Sequence, residues 1–170
     1  MTMQYPMRLS QLTPVAALVF WLSASGSGFA QSATPFVGVE GHWSGSGSIQ
    51  TSDGGKEQIR CRASYDLLKQ GKNLQLNIRC ASDSFNFDLR GSASYAAGKI
   101  TGSWSESTRN ASGDISGTAS DGKFQVIAKG AFSARLTVAT KGDKQTVDIK
   151  SLDPDASLKG ASIALRRTGG

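Results

Sequence analysis

An all-β architecture is expected of this chain: an antiparallel meander of about eight to ten short strands closed into a barrel, with a β-sandwich as the alternative. Three observations lead there. From Val39 onward, apolar or small side chains occupy alternate positions, with Ser, Thr, Asn, Gln, Lys, Arg or Asp between them. A period of two belongs to strands with one dry and one wet face. Turn-forming residues interrupt the alternation at short intervals: Asp53-Gly54-Gly55, Gln70-Gly71, Ala97-Gly98, Asp121-Gly122 and Gly142-Asp143. Gly, Asn and Asp tolerate the positive φ that tight hairpins impose. The two cysteines, finally, fall into register across one of these hairpins. A long sheet with one apolar face must either close on itself or split into two layers. Uniformly short connections favour closure over the longer crossings of a Greek-key sandwich.

Taken in chain order, the first strand places Val39, Trp43, Gly45, Gly47 and Ile49 on one face and His42, Ser44, Ser46 and Ser48 on the other. The second turns Ile59, Cys61, Ala63, Tyr65 and Leu67 inward, with Arg60 and Arg62 outward. Leu74, Leu76, Ile78 and Cys80 form the inner face of the third, against Gln75, Asn77 and Arg79. Phe85, Phe87 and Leu89 mark the fourth, with Asn86, Asp88 and Arg90 outside. Shorter runs follow at Ile100, Gly102 and Trp104, at Ile115, Gly117 and Ala119, and at Phe124, Val126 and Ala128. Phe132, Ala134, Leu136 and Val138, then Val147 and Ile149, supply two more, and Ala161, Ile163 and Leu165 the last.

A turn centred between Gln70 and Gly71 sets Cys61 directly opposite Cys80. The same register opposes Leu67 to Leu74, Tyr65 to Leu76 and Ala63 to Ile78, all inward pairs. Opposed strand residues can lie within the span a disulfide tolerates, and closing this loop contributes about 3 kcal/mol by the loop-entropy argument. A structural bond is expected, since no Cys-x-x-Cys arrangement suggests redox work.

Ahead of the alternation, Arg8 precedes an apolar run at 15–22 and a small-residue segment at 23–30. This is the pattern of a secretory signal peptide. Gly28 and Ala30 place the expected cut between Ala30 and Gln31, giving residues 1–30 as signal peptide and 31–170 as a single barrel-like domain. Met7, just before the basic residue, is an alternative start. The apolar run falls well short of the roughly 20 residues of a membrane-spanning helix, and no Cys at the cut suggests a lipid anchor. A periplasmic or secreted protein, not membrane-spanning once processed, is expected. Arg and Lys at outward strand positions also argue against a lipid-embedded barrel.

The formal charge of +6 at pH 7, from 19 Lys and Arg against 13 Asp and Glu, is scattered along the sequence in ones and twos. It favours an anionic envelope component as partner. Nucleic acid is not expected, because no segment repeats Arg with aromatic residues on one face. Catalytic residues are not expected either. His42, the sole His, points outward by parity, leaving neither a metal centre nor a Ser-His-Asp relay with a base. Glu106 shares the inward parity of Trp104 but stands at a strand end, where inward parity means a rim. Ser44, Ser46 and Ser48 have no neighbouring base. Asn110-Ala111-Ser112 matches the glycan-acceptor pattern by chance, and no glycine-rich loop opens a helix to cradle phosphate. No cofactor and no metal are expected.

One positive pointer remains. Gly45, Gly47, Gly102 and Gly117 stand at inward positions near the large faces of Trp43, Tyr65, Phe85, Phe87, Trp104 and Phe132. Small beside large is either the packing taper of a filled barrel or a lined cavity for a small apolar ligand. The six aromatics are the candidate ligand-binding residues.

Gly41-His42-Trp43 resembles the Gly-x-Trp opening of lipocalins and of calycin barrels at large. Gly98-Lys99-Ile100-Thr101-Gly102-Ser103-Trp104 and Gly113-Asp114-Ile115-Ser116-Gly117 resemble avidin-type hairpin strands, another calycin branch. The resemblance implies a barrel whose first Trp plugs one end beneath an Arg that follows the last strand, Arg166 or Arg167 here. It departs from those families in strand number, about ten against eight, and in having no alignable biotin-binding set. The chain also resembles small exported proteins of Gram-negative bacteria. The combined expectation is a non-enzymatic exported binding or envelope-associated protein, or else an interaction protein with a filled core.

Overall fold

A computed structural model describes residues 1–2, 34–120 and 122–169. The signal-peptide segment and its cut lie outside the described residues. Ten strands follow one another: β1 (Gly41–Thr51), β2 (Lys56–Leu68), β3 (Asn73–Ala81), β4 (Asn86–Ala96), β5 (Lys99–Glu106), β6 (Ala111–Ser120), β7 (Lys123–Gly130), β8 (Ala134–Lys141), β9 (Lys144–Ser151) and β10 (Leu158–Thr168). Each pairs antiparallel with its sequence neighbours, and β1 pairs with β10, so the meander is a closed barrel. No sandwich forms, because each short hairpin leaves the next strand beside the last.

The register of β2 on β3 is the one that the turn at Gln70-Gly71 dictates. Cys61 faces Cys80, Ala63 faces Ile78, Tyr65 faces Leu76 and Leu67 faces Leu74. Cys61 and Cys80 form a disulfide, which points to an oxidising, non-cytoplasmic environment. Alternation sorts the strands as expected: Ile59, Cys61, Ala63 and Tyr65 are buried, whereas Arg60, Arg62, Arg79, Arg90, Lys129, Arg135 and Lys150 are exposed on the outer wall.

Boundaries differ in places. Val39 lies in a turn that precedes β1, and Phe85 and Phe132 fall just before β4 and β8. β4 runs well past Leu89 through Gly91, Ala93 and Tyr95, paired on both sides by β3 and β5. The small residues of 91–94 carry weak alternation, and neighbouring strands supply the backbone partners that make them a strand. The inward glycines also have a different role from the one their size suggests. A Cβ at Gly45, Gly47, Gly102 or Gly117 would run into the carbonyl oxygen of Ala164, Ser162, Ser92 or Gln125 on the paired strand. They permit close strand approach, and none of the four lines the interior space.

Because successive hairpins alternate between the two ends of the barrel, the turns divide into two sets. The β2–β3, β4–β5, β6–β7 and β8–β9 turns share one end with the start of β1 and the finish of β10. The remaining turns share the other, far end. At the first end residues 34–40 act as a plug. Phe36 is 1% exposed, stacks on Phe124 with ring centres 5.8 Å apart and meets Tyr95 edge-on at 6.3 Å.

Candidate functional site

The barrel interior holds a cavity of about 260 Å³, partly open, whose wall is almost wholly apolar. It reaches from Phe36 and Phe124 beneath the plug to Trp104, Phe132 and Leu158 near the far end. Inward parity on successive strands builds this lining: Ile59, Cys61 and Tyr65 from β2, Leu74, Leu76 and Ile78 from β3, Trp104 from β5 and Val147 and Ile149 from β9.

Of the six aromatics singled out in the sequence, Tyr65, Phe87, Trp104 and Phe132 line the cavity. Trp104 lies 4.4 Å from Phe132, centre to centre, tilted by 40°. Its indole N–H is buried with no hydrogen-bond partner among the described residues. Phe85 is outside the lining and stacks on the outer side of the site against Phe87 at 6.4 Å. Trp43 is also outside it. That indole is 1% exposed, donates to the Val39 carbonyl at 2.8 Å and lies under the Arg167 guanidinium at 4.3 Å. Arg167 donates in turn to the carbonyl oxygens of Gly38 and Glu40, tying the plug to the last strand. Arg166 instead faces Asp143 at the surface, 3.7 Å away. The Gly-x-Trp element thus closes one end of the barrel and leaves ligand contact to others.

Apart from the unpartnered Trp104 indole N–H, polar groups in the interior are few and satisfy one another. Tyr65 donates its hydroxyl to Gln145 Oε1 at 3.0 Å, and Gln145 Nε2 donates to Thr140 Oγ1 at 3.0 Å. Burial holds the Tyr65 hydroxyl neutral, well above the ordinary phenol range. Glu106, 1% exposed, is occupied by the loop between β5 and β6. Its Oε1 accepts from the Asp88 N–H at 3.0 Å, the Thr108 N–H at 3.0 Å and the Thr108 hydroxyl at 2.6 Å, and its Oε2 from the Arg109 N–H at 2.9 Å. Burial alone would push this carboxyl up, but the Thr108 hydroxyl and the three backbone donors outweigh it and bring the pKa down to about 2. A carboxylate so fully engaged organises a loop and has no capacity left to take a proton from a substrate. Arg109 lies 3.6 Å from it and over the Phe87 ring at 4.6 Å, fixing one wall of the cavity. His42 is exposed on the outer wall.

Sequence reasoning missed Phe36 and Gln145; the aliphatic lining residues it placed inward, without singling them out for ligand contact. Gln145 was concealed because a polar residue at the start of a strand reads as rim, and only pairing with Tyr65, 80 residues away, explains its burial.

No protein-family model and no curated sequence matches the chain at a significant level. Solved structures do. Rv2717c from M. tuberculosis superposes with a TM-score of 0.63 at 10% identity, over 78% of this chain and 94% of that one. An S-type phycobiliprotein lyase from Guillardia theta gives 0.58 at 13% identity, over 79% and 91%. At such identities the likeness is one of fold: an antiparallel, calycin-like barrel.

Proposed function

We propose that the chain is a non-enzymatic exported binding protein, acting in the periplasm or outside the cell, whose barrel holds a small hydrophobic ligand. The carrying observation is the apolar cavity of about 260 Å³ inside the barrel, lined by Tyr65, Phe87, Trp104 and Phe132 among others. A mostly apolar hollow with few convergent polar groups is the usual form of a small-molecule site. Export is supported by the disulfide and by the signal-peptide pattern at 1–30, with 31–170 as the functional domain. One observation favours a second reading, a barrel with a filled core that works through its surface: the cavity is slightly smaller than the roughly 300 Å³ at which ligand pockets begin.

Tryptophan fluorescence separates the two. Titration with long-chain fatty acids, haem and naphthalene-like aromatics is expected to give saturable quenching with at least one class, lost in Trp104→Phe and in the cavity-filling Ala128→Leu. A flat response across the panel sinks the ligand reading and leaves the filled barrel.

A further inference from the structure

The plugged end of the barrel carries groups that the interior site does not use. Four turns meet there and each is flanked by exposed lysine: Lys69 and Lys72 between β2 and β3, Lys99 opening β5, Lys123 opening β7, and Lys141 and Lys144 around the β8–β9 turn. Among the described residues none of these six forms an ion pair. Beside them stand two exposed aliphatic side chains, Val37 at 59% and Leu68 at 44%. Both border the same turn: a Cβ at Gly71 would lie 3.6 Å from Val37 Cγ2, and the Gly71 N–H donates to the Leu68 carbonyl at 3.1 Å. The far end carries more aspartate and less lysine. Its turns bear Asp53, Asp83, Asp153 and Asp155, with Arg109 committed to Glu106 and Phe87 and with Lys56 and Lys159 on the flanking strands, while the plugged end also carries Glu40, Asp66 and Asp143. Charge scattered along the sequence is therefore gathered by the hairpin topology into an excess of lysine at the plugged end and an excess of aspartate at the other.

We propose that the plugged end docks peripherally on an anionic lipid bilayer, with the six lysines on the headgroups and Val37 and Leu68 entering the boundary with the acyl chains. A ring of turns around a barrel end offers a broad face to a planar surface. The excess of lysine at that end draws it toward a negative surface. The aliphatic pair favours a bilayer over a soluble polyanion, because solvated phosphates gain nothing from Val37 or Leu68, whereas an interface buries them. Each lysine near an anionic surface strengthens partitioning by about fivefold.

Cosedimentation of the full chain with vesicles of phosphatidylglycerol and phosphatidylcholine, against phosphatidylcholine alone, tests this. Binding is expected to require phosphatidylglycerol and to weaken roughly thirtyfold in a Lys69→Ala, Lys72→Ala double variant. A Val37→Ser, Leu68→Ser double variant is expected to weaken several-fold in a salt-independent way. Lys129→Ala, Lys150→Ala, the same charge change on the outer wall, should leave binding within about twofold, since those sites stand away from the surface. The apolar run at 15–22 also meets lipid in this assay, so barrel docking is read only from the variant differences. Partitioning that neither end-face variant alters overturns the proposal. So does vesicle binding that the Val37 and Leu68 changes leave untouched while the lysine changes weaken it and retention on immobilised heparin equally, which assigns the face to a soluble polyanion. Near-ultraviolet circular dichroism confirms that each exposed-site variant is folded.

Discussion

At Glu106 and Trp43 single side chains do work that their chemistry alone does not reveal. Trp43 is a barrel plug because Val39 and Arg167 grip it from both sides. Glu106 is buried yet ionised, its pKa drawn from 4.5 to about 2 by four hydrogen bonds that outweigh the effect of burial. A carboxyl whose folded pKa is depressed stabilises the fold fully above its unfolded pKa and loses that contribution as pH falls toward the folded value. Glu106→Gln is therefore expected to cost on the order of 2–3 kcal/mol at neutral pH. It should also flatten the loss of stability between pH 4.5 and 2. Urea unfolding across a pH series checks both, and an unchanged acid limb would show that the carboxylate has no such role. Parity points Glu106 inward, but its place at a strand end suggests a rim; the side chain is instead fully buried, because the β5–β6 loop and Asp88 fold over it. Its partners were not legible, because the Asp88 N–H arrives from another strand, 18 residues earlier.

Among elements, the β2–β3 hairpin was the most readable. Turn position, inward parity and the cysteine pair all depend on one register, so each checks the others. Replacing both cysteines by alanine is expected to cost about 2–4 kcal/mol while leaving the strands intact. Thermal unfolding with a matched far-ultraviolet spectrum measures it, and a loss of β signal at low temperature would contradict a merely stabilising bond. Strands with strong alternation such as β2 and β3 were legible, whereas β4 beyond Leu89 was not. Its Gly91, Ser92, Ala93 and Ser94 carry little contrast between dry and wet faces, and pairing to β3 and β5 decides the matter. The plug at 34–40 escaped for a related reason: a segment with no period has no face until the barrel mouth provides one for Phe36.

Over the whole molecule the most non-local feature is the seam between β1 and β10, where Gly45 meets Leu165 and Gly47 meets Ile163. Closure joins strands at opposite ends of the barrel sequence, and its loop-closure entropy places this fold among slower folders. Gly45→Val would force a side chain into the Ala164 carbonyl. It is expected to destabilise by about 3 kcal/mol or more, read as a lower urea midpoint. Near-wild-type stability would mean that the strands are not so closely packed at that point.

Local chemistry settled the strand period, most turns, the disulfide partners and the inward or outward sense of each strong strand, because backbone geometry couples each of these to residues a few positions away. Closure of the barrel, burial of Phe36 and Gln145, engagement of Glu106 and the size of the cavity depend on groups that meet only after distant strands pair. The gathering of lysines at the plugged end belongs with them. Which turns share an end follows from hairpin topology, and no one-dimensional reading of lysines and aspartates contains that direction.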